Sequence, residues 1–428
     1  MLLRYIPINI FILLIIFSCF IYFIGPIRYV DFDVALLASF LLPLIFLSFL
    51  GFHFGVKGNI YKHNIRASSF LYLNKFLMPI VFLVFLLMIY KWINLFANKS
   101  PSDFLNFGQA YQDVYEDYER GSGGISSNLV INIFQDSLSM LAAIYCITSL
   151  YEHKTLALKM LFTFIVFSYV LIPVFETGKM KYVGDVAIFY FATYLIVFAQ
   201  KKVSLNISAL IKIFFIVLLT IFALGLILSS RYNALEFDVS NIANNMHPLI
   251  IWKEDSLIVK IFGNVLGLGF GMLTTYFTMG MYGLSICLSM PFSWTYMLGS
   301  SYSLGRIMEQ MLGNSITIIE NSYPVRAEEY GWGMDKWHSV YSWLASDFSF
   351  PGVLILCFFI SFFYGRVWKR VIEKSNPIAP MMFVLLTLGM IFSLSNNQLL
   401  HSLQSTFVVC LVFVLYVISS RPNHINMK

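Results

Sequence analysis

The residues of this chain best suited to chemistry crowd into one stretch, from Glu328-Glu329-Tyr330-Gly331-Trp332 to Gly352. Three of the seven tryptophans lie in it, Trp332, Trp337 and Trp343, interleaved with Glu329, His338, Tyr341 and Asp347. Flat aromatic faces cover the C–H groups of a sugar ring, and carboxylates accept its hydroxyl protons. If 336–347 is helical, Trp337 and Tyr341 share a face at i,i+4, as do His338 with Ser342 and Trp343 with Asp347. The ordinary histidine side chain exchanges its proton near neutral pH, so His338 could act as a general base, with Asp347 or Glu329 as second choice. Trp332, Trp337 and Tyr341 are the candidates for holding a sugar. An aromatic belt at a membrane interface explains the tryptophans as well, but explains His338 and Asp347 less well.

Cations form a second group. Glu176-Thr177-Gly178-Lys179-Met180-Lys181 places two lysines in one turn, and Arg231 follows in Ser229-Ser230-Arg231-Tyr232. Arg306 and Arg326 lie further on. Guanidinium forks match phosphate oxygens in pairs, so several such residues on one side of a membrane suit a pyrophosphate. The alternatives are snorkelling lysines, with Glu176 pairing Lys179 at i,i+3, and an Arg231 anchored to lipid phosphate. Asp136, in Gln135-Asp136-Ser137, is either functional or satisfies a neighbouring helix. His401 is a weaker candidate in a short turn.

These residues sit in a chain that a soluble fold could not hide. Of 428 residues 59% are hydrophobic and 12% charged, and the mean hydropathy is +0.77. An all-α polytopic membrane protein follows. Ten stretches have the length and the all-round apolar character of membrane helices: about 5–25, 33–53, 75–96, 128–150, 157–175, 183–200, 209–229, 353–371, 378–396 and 404–420. The apolar, glycine-rich run from Ile261 to Met290 would make twelve if it spans twice. A re-entrant or interfacial arrangement is preferred, because the turn between two such spans would lack basic residues.

With the N-terminus inside, the inner segments hold 16 of the 28 basic residues and two of the 22 acids, Glu152 and Glu373. That bias puts both termini in the cytoplasm. The chain then divides into an N-terminal bundle of about seven spans (1–229), a long outer segment (230–352) and a C-terminal three-span bundle with a tail (353–428). The five cysteines lie in apolar runs with no C-x-x-C pair, so neither disulfides nor a zinc site is expected. No phosphate-cradling G-x-x-x-x-G-K-S/T loop is present, and the +6 net charge is topological rather than a nucleic-acid signal.

Four segments together resemble the Wzy-type O-antigen and polysaccharide polymerases. They are the Thr177-Gly178-Lys179 turn, the Arg231 turn, the run from Thr274-Thr275-Tyr276 to Tyr282-Gly283-Leu284-Ser285, and the block from Gly331-Trp332 through Trp337-His338-Ser339, Trp343 and Asp347 to Gly352. Lysines stand at 179 and 181 where an arginine is expected. The resemblance implies a GT-C-like glycosyltransferase on the periplasmic face of the bacterial inner membrane. Such an enzyme moves a growing glycan from undecaprenyl diphosphate onto a fresh lipid-linked repeat unit. No metal, nucleotide or other cofactor is expected, and a chain-length regulator is a possible partner. Arg231 and Arg306 would then hold the diphosphate, with Lys179, Lys181 and Arg326 assisting. A lipid-linked oligosaccharide flippase and an O-antigen ligase are the alternatives. A flippase should line a cavity between helices with cations and have short loops on both sides.

Overall fold

The computed structural model describes residues 2–58, 67–99, 127–151, 155–178, 180–201, 225, 228, 247–313, 317–334 and 336–420. They form helices α1 (Ile6–Ile24), α2 (Val34–Lys57), α3 (Ala67–Asn98), α4 (Ser127–Ser149), α5 (Leu156–Thr177), α6 (Lys181–Lys201), α7 (Leu257–Ser289), α8 (Tyr302–Met311), α9 (Tyr323–Arg326), α10 (Val340–Ile372), α11 (Ala379–Phe392) and α12 (Leu403–Ser419). Among the described residues the one sheet is a two-stranded antiparallel ribbon, β1 (Ile27–Tyr29) on β2 (Ile250–Trp252), with Ile27 opposite Trp252.

Seven of these helices are long and apolar enough to cross a membrane: α1 to α6 and α10. With α11 and α12, which are apolar but shorter, they coincide with nine of the ten expected spans, although α3 begins eight residues and α10 thirteen residues before the expected start. The tenth, 209–229, falls almost wholly outside the described residues. Four of the helices, α2, α7, α10 and α12, begin where a short polar side chain satisfies a free backbone N–H group. Asp33 accepts from Leu36 N at 2.8 Å, Ser339 from Ser342 N at 3.2 Å and Ser402 from Ser405 N at 3.4 Å. Gly178 ends α5 in the left-handed region, φ 63°, where a side chain would be strained.

In lipid, helices associate by close packing rather than by the hydrophobic effect, so small residues mark contacts. Gly51 and Gly55 of α2 abut the Phe358 and Phe362 carbonyls of α10, and Gly365 of α10 abuts Phe52 O in return. The early and late spans thus form one bundle, in which α11 packs on α6 and α12 on α4.

The bundle has two unlike ends. At the basic end Tyr5 meets His53 at 2.9 Å, Lys369 Nζ donates to Gly58 O at 2.7 Å and Gln200 Nε2 donates to Val371 O at 3.0 Å. The far end carries the β-ribbon, and α7 runs across it. Tyr282 of α7 donates to Val30 O at 2.8 Å, Thr278 meets the Tyr29 hydroxyl at 2.8 Å, and Gly280 abuts the Leu394 and Ser395 carbonyls. The 261–290 run is therefore helical on both sides of a kink at Gly263 (φ 70°, ψ 178°), and its longer piece packs against the β-ribbon and the ends of neighbouring helices.

Candidate functional site

The polar groups of the far end are tied together around Asp347. This residue lies in α10 just before a break at Ser349, where φ is 57° and ψ 165°. Its buried carboxylate accepts from Gly299 N at 2.9 Å, from Ser300 N at 2.7 Å and from the hydroxyls of Thr295 and Ser300. The Thr295 hydroxyl has one proton to divide between this carboxylate and Ser346 O at 2.7 Å, so at least three donors hold Asp347 at once. Asp347 thus clasps the 295–300 turn, a role its expected one as a base did not include.

The clasp continues into the turn between α11 and α12. Asn397 Nδ2 donates to Ser300 O at 2.7 Å. The neighbouring Gln398 donates Nε2 to Oδ1 of Asp185 on α6 at 2.7 Å, both side chains being buried. His401 stacks on Tyr302, ring centroids 5.4 Å apart, and meets Trp343 edge-on at 5.2 Å. Its backbone O accepts from Ser303 N and Oγ. Burial, with a smaller push from Lys181, lowers the His401 pKa to about 4, so its ring is neutral at pH 7.

Beneath this turn lies a cavity of about 180 Å³. Its walls are Phe11, Tyr341, Leu344, Cys357, Ile360, Leu386 and Met390. Asn397 and Gln398 line it at the far end, while Ser48 and Ser361 line it deeper in the bundle. The cavity is an apolar slot with two amides in its lining.

The expected cations fall unevenly around it. Lys181 is exposed at the first position of α6, one turn before Asp185 and close enough to act electrostatically on Asp136, Asp185 and His401. Arg306 is not a spare cation: it bonds Glu309 at 3.0 Å and Glu320 at 3.5 Å and lies over the Tyr302 ring. Arg326 donates to Pro291 O at 2.8 Å. Asp136 pairs with Lys91 of α3 at 3.6 Å, the reading in which it satisfies a neighbouring helix. Lys179 and Arg231 lie outside the described residues.

The aromatic block divides in the same way. Trp332 is fully buried, edge-on to Tyr29 and Tyr282. His338 is 2% exposed, packed beside Gly283 of α7 with Nε2 3.2 Å from Gly333 O. Tyr341 is buried against Phe40 and lines the cavity. Trp332 and His338 are core residues under α7, since a group that touches a sugar must be reachable. Trp337 is half-buried against Tyr276, and Glu329 is exposed. Asp335 lies outside the described residues.

Sequence reasoning missed three participants: Asp185, Gln398 and the 291–300 segment. The third had a signal, since Phe292, Trp294 and Tyr296 alternate with Ser293 and Thr295. Among the described residues no group of three His, Cys, Asp or Glu side chains is placed to hold a metal ion. Comparisons of the chain with protein-family models, curated proteins and solved structures find no match.

Proposed function

We propose that this chain is a GT-C-like glycosyltransferase that polymerises undecaprenyl-diphosphate-linked repeat units at the periplasmic face of the bacterial inner membrane. The observation that carries the reading is an exposed cation linked, through Asp185 and Gln398, to an apolar slot. Lys181 stands one helical turn from Asp185, which Gln398 joins to the roof of an apolar cavity inside a multi-spanning bundle. A diphosphate on a hydrocarbon tail asks for that combination.

In the proposed step the C–O bond between the growing glycan and its diphosphate breaks, and the electron pair leaves on the phosphate oxygen. A new C–O bond forms to a hydroxyl of the acceptor unit, whose proton passes to a carboxylate. Lys181 balances the charge that develops on the leaving group, with Lys179 and Arg231 as its expected companions. Glu329 is the expected base that is open to solvent. A flippase reading asks for cations along an internal cavity, and the lining of the slot contains none.

The test is surface glycan from a strain lacking the gene, with and without a plasmid copy. The expected result is loss of the ladder with a single repeat unit still attached, restored by the plasmid. Loss of that first unit as well would point to a flippase or ligase, and an unchanged ladder would end the glycan reading.

A further inference from the structure

The segment between α7 and α8 is built to present aromatic rings. Phe292, Trp294 and Tyr296 are 47%, 55% and 53% exposed, while Thr295 between them is fully buried. An extended stretch puts alternate residues on one side. The Trp294 and Tyr296 ring centroids are 5.2 Å apart with planes at 32°. Tyr296 and Met297 both hold positive φ, 54° and 65°, in the region that side-chain-bearing residues rarely adopt. The Asp347 clasp keeps them there, through Thr295 on one side and Gly299 and Ser300 on the other.

We infer that Phe292, Trp294 and Tyr296 form a platform for a sugar ring, and, resting on the polymerase reading, that it holds the acceptor repeat unit. Two observations favour a carbohydrate over the bilayer. Insertion into lipid needs only apolar area and gives no reason to lock two residues in strained backbone, whereas a stacking platform needs its rings fixed. Arg326, bonded to Pro291 O, leads directly into a turn with exposed Glu328 and Glu329. Carboxylates accept sugar hydroxyls and are repelled by lipid phosphates. The platform is also joined to the slot, because Asn397 bonds Ser300 and lines the cavity.

The experiment uses the full-length protein in nanodiscs and the repeat-unit oligosaccharide released by mild acid from the host's surface glycan. Binding is followed by saturation-transfer NMR. The expected result is transfer to the sugar C–H protons from the wild type, and binding about tenfold weaker for Trp294→Ala/Tyr296→Ala, with Trp294→Phe in between. The replaced rings are exposed, and an unchanged melting temperature will show that the variants fold. No binding by the wild type, or equal binding by the double variant, overturns the inference. So does quenching by brominated acyl chains of the fluorescence difference between wild type and Trp294→Phe, which would put the ring in lipid. The glycan ladder reads the polymerase proposal separately, so either can fail alone.

Discussion

Gly51 on α2 and the carbonyl of Phe358 on α10 touch so closely that a Cβ at position 51 would collide with the carbonyl oxygen and carbon. The same holds for Gly55 and Phe362 one turn on. Backbone on both sides gives neither helix room to yield. Gly51→Ala and Gly55→Ala are each expected to destabilise the protein by about 1–3 kcal/mol through overpacking. Melting of the detergent-solubilised protein checks this. Gly184→Ala, where the nearest atom is 3.8 Å from the new methyl group, should melt like the wild type.

Replacing Asp347 by Ala strands the amide donors of Gly299 and Ser300, while the Thr295 hydroxyl keeps Ser346 O at 2.7 Å. Each buried donor left unpaired costs about 1–3 kcal/mol. Amide exchange at Gly299 and Ser300 should then rise by at least about tenfold while the α2 core stays protected. Uniform protection in the variant would show that other contacts hold the turn.

The reach of the Asp347 clasp explains what could be read in advance. Its partners Thr295 and Ser300 lie 52 and 47 residues earlier in the chain, and no local period announces such a bond. The spans were legible because an all-round apolar run of membrane length has few other fates. The aromatic block was not, because a tryptophan beside a carboxylate reads alike whether it faces a ligand or, as Trp332 does, the core. The contact of α2 with α10 was within reach: Gly51-Phe52-His53-Phe54-Gly55 is a small-xxx-small pattern in an apolar helix.

Gln398→Leu should leave the buried Asp185 carboxylate without its amide donor and lower stability by about 1–3 kcal/mol. Adding Asp185→Leu should recover part of the loss, since an apolar pair needs no donor. A double-mutant cycle of melting temperatures measures the coupling. Strict additivity would mean that the 2.7 Å bond contributes little.

Acid should loosen the far end through His401. Its folded pKa, about 4, lies below the ordinary 6.5, so between those values the unfolded chain binds a proton that the folded one refuses. Stability therefore falls as pH drops from about 6.5 to about 4. His401→Gln should flatten that part of the profile, measured as melting temperature against pH.

Lys181→Ala is expected to reduce polymer by about ten- to hundredfold at normal protein level, the scale of a lost charge-assisted contact, while Lys181→Arg keeps most of it. Gels of surface glycan from complemented cells, with a blot for the protein, read this directly. A normal ladder from the alanine variant would remove Lys181 from the mechanism.

The break at Ser349 divides α10 into a short outer piece, which carries Asp347, and a membrane-crossing piece that begins at Pro351 and interlocks with α2. On either side of the joint the chain answers to different partners: Asp347 to the 295–300 turn, and the piece from Pro351 onward to the small-residue face of α2.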